Sequence, residues 1–308
     1  MRKINVAVVG VGHLGARHAK VYKNLENANL VAVCDINPQR LKTVSKELGV
    51  KGYLSYKKLF PLVEAVSIAV PARLHYEIAY DFLKQNIHVL VEKPFVLNLK
   101  EADNLIELSK KNKLILQVGH IERFNSGFCA AVKLVKDVRF IECHRLSYFS
   151  KRGLDVGVVM DLMIHDIDIV LGLVKSEIVN IDAVGTNVLT PFEDIANARI
   201  RFKNGCICNL TASRISDEIV RKIRIFLKDA YISLDYKNEE AFIYKRKKSS
   251  IVKNPLPIEK EEPLKKEIAS FLDCITYKKT PLVSGEIAKD ALKVALMIQK
   301  KIWQKKIS

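Results

Sequence analysis

Short apolar, β-branched runs separated by amphipathic stretches open the chain. Ile4–Val9, Leu30–Cys34, Val63–Val70, Ile87–Val91 and Leu114–Val118 have the texture of strands buried on both faces. Between them the spacing predicts helices over about 13–25, 38–48, 73–85 and 98–111. In the last of these, Leu99, Ala102, Leu105 and Ile106 recur at helical intervals. Asn98 precedes that run with Glu101 three residues on, the form of a capping box. Pro38 and Pro61 punctuate, as prolines do at helix starts and turns. Strands alternating with helices predict an α/β domain with a parallel, doubly wound sheet over residues 1–119.

After His120 the pattern changes. Residues 138–149, 177–189, 194–202, 205–213, 221–227 and 230–236 read as successive strands, with turns such as Lys203-Asn204-Gly205 between them. One helical segment, 155–173, precedes most of them. The polar stretch 245–262 is expected to be a surface loop. A helical pair follows at 263–278 and 284–305, the second with Ile287, Ala291, Ala295, Ile298 and Ile302 on one face. Residues 120–308 are therefore expected to form an α+β domain with a mostly antiparallel, open sheet, the C-terminal helix being free to pack back on the first domain.

Composition narrows the class. Of 308 residues, 49% are hydrophobic and 28% charged, enough apolar material for two cores. The net charge of +17 raises the question of a nucleic-acid partner. Its distribution answers against one. The excess is +8 over residues 1–119 and +9 over the rest, and Lys outnumbers Arg by 37 to 14, although Arg is the better fork for phosphate. The densest clusters, Lys245–Lys248 and Lys300–Lys306, read as solvated surface, and no basic helix or groove motif is visible. Apolar runs fall short of a membrane span. Met1-Arg-Lys leads straight into a strand, so no signal peptide is expected. The six cysteines, at 34, 129, 143, 206, 208 and 274, show neither zinc spacing nor a disulfide framework, and they read as reduced packing residues of a cytoplasmic protein.

The first strand runs into Gly10-Val-Gly12-His13-Leu14-Gly15, and a helix follows. Gly10 suits a tight turn, Gly12 a close approach of backbone to a diphosphate, and Gly15 close helix–strand packing. Free N–H groups at the helix start then face the negative charge. Asp35 ends the second strand 20 positions after Gly15, where a carboxylate accepts hydrogen bonds from ribose hydroxyls and repels a 2′-phosphate. The string is a dinucleotide fingerprint of Rossmann type, and NAD is favoured. Arg40 lies close by and leaves some use of NADP open.

Two further clusters carry chemistry. Glu92-Lys93-Pro94 follows a strand directly, at the carboxyl end where open α/β sheets bind ligands. Asp161, His165 and Asp168 fall at i, i+4 and i+7 and are expected on one helix face, where the acids orient the imidazole. With a single His in the cluster, no metal is expected there.

These segments resemble the Gfo/Idh/MocA oxidoreductase family. The matching text runs Val66-Ser-Ile-Ala-Val-Pro71-Ala-Arg-Leu-His75, then His88-Val-Leu-Val-Glu92-Lys93-Pro94, then Gln117-Val-Gly-His-Ile-Glu-Arg123-Phe124-Asn125. Asp161…His165…Asp168 matches the family's second motif, and the resemblance spans essentially the whole chain. It implies hydride transfer between NAD and a secondary alcohol of a sugar. Lys93 and His165 would bind and deprotonate that alcohol, with His165 the base, and Asp161 would orient a neighbouring hydroxyl. Pro71 and His75 would line the nicotinamide side, and Glu92 would help place the cofactor. Both Lys93 and His165 must then reach the same hydroxyl. The family often has Gly two residues after the Asp, where Met163 stands here, which narrows the pocket.

Three phrases, Val118–Asn125, Gly157–Asp168 and Glu193–Arg199, resemble a subgroup that oxidises the C3 hydroxyl of a nucleotide sugar such as UDP-N-acetylglucosamine, on the way to an amino sugar of lipid A. Arg123, Asn125, Arg152, Asp168 and Arg214 are the candidate substrate contacts, each with an ordinary salt bridge or cap as its other reading. The resemblance also implies a homodimer or homotetramer built through the C-terminal sheet. A free polyol such as inositol or glucose, or a dinucleotide-sensing regulator without catalysis, are the alternatives.

Overall fold

The computed structural model describes residues 2–150, 154–248 and 250–304. The chain divides into two compact units: residues up to Ile121 with Leu264–Lys289, and Glu122–Pro263 with the chain from Asp290 onward.

In the first unit the apolar runs form six parallel strands. They are β1 (Ile4–Val9), β2 (Ala28–Cys34), β3 (Lys51–Tyr53), β4 (Ala65–Ile68), β5 (His88–Glu92) and β6 (Leu116–Gly119). Their order in the sheet is β3-β2-β1-β4-β5-β6, so chain direction across the sheet reverses between β1 and β4, the switch point where such sheets hold ligands. Helices α1 (His13–Asn24), α2 (Pro38–Leu48), α3 (His75–Lys84) and α4 (Leu99–Lys111) connect them. Pro38 sits in the first turn of α2 behind Asn37, whose side chain accepts from the Arg40 N–H. Asn98 caps α4 by accepting from the Glu101 N–H, as the spacing predicts. The short edge strand β3 and the 3-10 turn Tyr56–Leu59 are additions to the sequence reading.

Two late helices follow, α7 (Pro263–Tyr277) and α8 (Gly285–Gln304). The sequence reading assigned α7 to the second domain. Its Leu264, Ile268, Phe271 and Leu272 are instead buried in one core cluster with Val6, Val8, Tyr22 and Leu90 of the first unit. The unit boundary falls within α8.

The second unit is built on an eight-stranded sheet. Its strands are β7 (Phe140–Leu146), β8 (Ile178–Thr186), β9 (Ile195–Phe202), β10 (Ile207–Ser213), β11 (Val220–Phe226), β12 (Ala230–Asp235), β13 (Glu240–Lys247) and β14 (Ser250–Pro255). The order is β14-β13-β12-β11-β7-β10-β9-β8, antiparallel throughout except where β7 runs parallel to β10. The expected surface loop over 245–262 is corrected: β13 and β14 pair there as an edge hairpin. Helix α5 (Ser126–Val132), missed by the pattern, packs on β12, where a Cβ at Gly127 would come within 2.5 Å of Leu234. The predicted helix 155–173 divides into a π-helical turn, Val159–Met163, and α6 (Ile164–Val174). One sheet face buries Ile141, Cys143, Leu210, Ile223 and Ile232. The other carries a row of rings, Phe140, Phe226, Tyr231 and Tyr244, with successive centroids 5.7, 5.2 and 4.2 Å apart.

Candidate active site

The glycine turn of the first unit is shaped as the spacing demands. Gly10 has φ +82°, and a Cβ there would stand 2.5 Å from the Ala69 carbonyl oxygen. A Cβ on Gly15 would overlap the Gly10 carbonyl, so only glycine lets α1 lie this close to β1. Gly12 differs: its nearest neighbour to a Cβ would be Arg40, 3.9 Å away. Gly12 is also the N-cap of α1 and offers the first-turn N–H groups no side chain. His13 and Leu14 supply that first turn. An uncapped helix start beside a glycine that clears the approach is the donor set a diphosphate needs, so these residues fit a dinucleotide.

Asp35 is nearly buried and bonds in two directions. One carboxylate oxygen accepts from the Val11 N–H at 2.9 Å, the other from the Asn37 N–H at 2.8 Å. It thereby ties the glycine turn to the end of β2. Arg40 lays its guanidinium 3.2 Å from the same carboxylate while remaining half exposed.

At the ends of β4 and β5 the backbone is cross-braced. His75 lies between the carbonyl oxygens of Pro94, at 2.8 Å, and Val70, at 2.9 Å. It joins the turn that carries Pro71 to the turn that carries Lys93, which is partly exposed beside a cis Lys93–Pro94 bond. Glu92 turns inward. Its carboxylate is hydrogen-bonded to His18 Nε2 at 2.9 Å, and Glu267 of α7 joins them. One ligand-type atom from each of the three lies within 4.8 Å of the others, the one group of three such side chains among the described residues. Sequence reasoning missed it because the three positions lie on α1, β5 and α7.

In the second unit, Asp161 stands on the π-turn, partly exposed, while His165 and Asp168 follow in α6 with exposures of 8% and 1%. Widened turns of this kind recur at functional sites. Neighbouring acids are neutralised by arginines. Arg123 forks on Asp168 at 2.6 and 2.9 Å and also donates to its carbonyl oxygen, seated where Gly172 leaves room. Arg145 of β7 donates twice to Asp166, at 3.0 and 2.8 Å, and once to Glu122 at 2.8 Å. Burial alone would lower the Arg145 pKa; the two carboxylates outweigh it and hold the guanidinium charged. Arg214 bonds the carbonyls of Val156 and Glu193 and pairs with Asp194 at 3.1 Å. Burial would raise the Asp194 pKa, but three backbone donors from Val188 to Thr190 and the Thr190 hydroxyl bring it down to about 2.

Several side chains singled out as substrate contacts are thus committed within the fold. Arg123 and Asp168 bond each other, Arg214 holds Asp194, and Asn125 caps α5 by accepting from the Gly127 and Phe128 N–H groups. Arg152 lies outside the described residues.

Comparison with known proteins agrees with this geometry. A model of the oxidoreductase family with an NAD-binding Rossmann fold matches residues 4–120, and the Gfo/Idh/MocA C-terminal domain matches residues 123–233. The chain is 35% identical to UDP-N-acetylglucosamine 3-dehydrogenase of Acidithiobacillus ferrooxidans over 97% of both chains. A solved structure of that enzyme superposes with a TM-score of 0.92 over 98% of each chain. Myo-inositol 2-dehydrogenase of Thermotoga maritima is 28% identical over 98% of this chain and 97% of its own. Both domain models, in this order along one chain, show that the protein is a member of the Gfo/Idh/MocA oxidoreductase family.

Proposed function

We propose that this oxidoreductase takes hydride from the C3 hydroxyl carbon of a nucleotide sugar, UDP-N-acetylglucosamine, with NAD as acceptor. The supporting observation is the 35% identity sustained over 97% of both chains with an enzyme of that name, beside intact Lys93, Asp161 and His165. NAD, held at the glycine turn by the start of α1, supplies the hydride acceptor. Lys93 donates a hydrogen bond to the reacting oxygen, and His165 accepts its proton as the carbonyl forms. Asp161 orients a neighbouring hydroxyl. Asp35 accepts from the adenosine ribose, which selects NAD over NADP, and Pro71 and His75 flank the nicotinamide. The product is a 3-keto sugar ready for amination on the way to lipid A, made in the cytoplasm. Assembly as a homodimer or homotetramer belongs to the same reading, supported by the ring-lined outer face of the sheet.

The test is NAD reduction across UDP-N-acetylglucosamine, UDP-glucose, glucose and myo-inositol. Turnover is expected with the first; turnover with inositol or glucose and none with the first would overturn the substrate. Lys93→Ala and His165→Ala should keep NADH binding and lose turnover by about 10²-fold or more, the scale of a positioned acid–base group. Wild-type rates in both would refute the assignment. Asp35→Ala should erode the preference for NAD over NADP.

A further inference from the structure

The trio of His18, Glu92 and Glu267 takes no part in the proton and hydride steps above, yet Glu92 immediately precedes Lys93 at the end of β5. Glu267 is fully buried, and among the described residues no donor reaches either of its carboxyl oxygens. Glu92 is 8% exposed and His18 fully buried. A buried carboxylate with no donor and another carboxylate beside it is an arrangement that water-free surroundings do not sustain. Something positive must stand between the two acids. A metal ion and a proton are the candidates.

The distances favour the proton. His18 Nε2 and Glu92 Oε1 are 2.9 Å apart, a hydrogen-bond separation. Two ligands on one ion with bonds of about 2.1 Å stand roughly 3.4 Å apart in tetrahedral geometry. His18 Nε2 is engaged by Glu92, and its Nδ1 meets no partner among the described residues. His18 therefore supplies no donor to Glu267. We infer that Glu267 is a neutral carboxylic acid whose O–H donates to the Glu92 carboxylate, so that Glu267 and His18 together fix Glu92 and, through it, the strand end that presents Lys93. Glu267 is a positioning residue in this scheme; the part of the inference that concerns turnover rests on the function proposed above.

Among the described residues, other groups around the pair do not supply the missing charge. The titratable ones are His18 and Tyr22 of α1 and Glu92 of β5. Tyr22 is bonded to Ser67 of β4, and Gln117 of β6, neutral, donates to the Glu267 backbone carbonyl. A Cβ at Gly119 would come within 2.9 Å of the Glu92 carboxylate, so β6 closes the chamber by its lack of a side chain. Burial first, and the Glu92 charge second, push the Glu267 carboxyl well above its ordinary range, in the direction the geometry requires.

Glu267→Gln tests the idea, because a carboxamide keeps a donor and cannot ionise. Thermal melting between pH 5 and 9 is compared for wild type, Glu267→Gln and Glu267→Leu, with kcat and KM for UDP-N-acetylglucosamine. A carboxyl whose folded pKa is raised stabilises the fold in acid and forfeits that stability as pH rises. Glu267→Gln should thus match wild type at pH 5, melt above it at pH 9 by a few degrees, and retain kcat within about two-fold. Glu267→Leu should lower kcat about ten-fold with little change in KM, the scale of a lost hydrogen bond to a charged acceptor. Glu267→Gln melting below wild type at every pH overturns the neutral acid. Zn²⁺ raising the wild-type melting point and not that of Glu267→Gln overturns it in favour of a metal. A kcat unchanged in Glu267→Leu overturns the positioning role. If wild type itself fails to turn over the sugar, the substrate reading falls while the melting profiles still decide the protonation of Glu267.

Discussion

Two clusters of buried acids, one in each unit, are handled in opposite ways. In the second, four acids find a guanidinium: Asp168 with Arg123, Glu122 and Asp166 with Arg145, Asp194 with Arg214. In the first, Glu92 bonds His18 and, by our inference, shares a proton with Glu267. The contrast teaches how much a neutral chamber differs from an ion-paired one. A guanidinium offsets the charge of its acids with forked hydrogen bonds and couples distant elements. A proton can leave, so the chamber behind Lys93 is the part whose stability falls as pH rises.

Breaking the contrast at its strongest point should give the largest effect. Arg145→Leu strands two buried carboxylates, and chemical denaturation should show a loss of about 3–5 kcal/mol. Adding Glu122→Gln and Asp166→Leu to that variant should restore most of the loss, because an uncompensated charge is what makes the single change costly. Asp194→Asn comes next. With its folded pKa near 2 against an unfolded value of about 3.9, Asp194 contributes stability present above about pH 4 and lost as pH falls through 2, worth roughly 2 kcal/mol. Denaturation midpoints at pH 7 should fall accordingly in Asp194→Asn and converge with wild type in acid, the reverse of the loss with rising pH expected for Glu267. The smallest effect belongs to the exposed pair Arg224–Glu142, 3.3 Å apart. Arg224→Ala should change stability by less than about 1 kcal/mol and respond to salt.

How much of this was legible beforehand depended on who makes the contacts. The glycine turn is backbone geometry, and Gly10 and Gly15 announce it because a Cβ at either would collide with neighbouring backbone. The five other strands of the parallel sheet were equally open to reading, since burial on both faces leaves an apolar run, whereas the exposed edge strand β3 leaves none. β13 and β14 were not: an edge hairpin with Arg246, Lys247 and Lys253 carries charge along strands that bury little. The apolar face of α7 marked it as a core helix without saying which core. Arg123 and Arg214 looked like substrate ligands because an arginine's partner, here 45 or 20 positions away, leaves no local trace. Asn125 did leave one, an Asn before Ser-Gly at the start of a helix, which is an N-cap signature.

The widened turn at Val159–Met163 has a consequence for how this fold can diversify. One residue added to or removed from a helix rotates everything beyond it by about 100°. Here the surplus residue is absorbed upstream of Ile164, so the angular offset between Asp161 and His165 is set locally while Ile167, Ile169 and Val170 keep their places in the interior. A single-codon deletion in that stretch would swing the acid around the imidazole at the expense of the buried Val159, Met160 and Met163, while the apolar side chains beyond Ile164 hold their register.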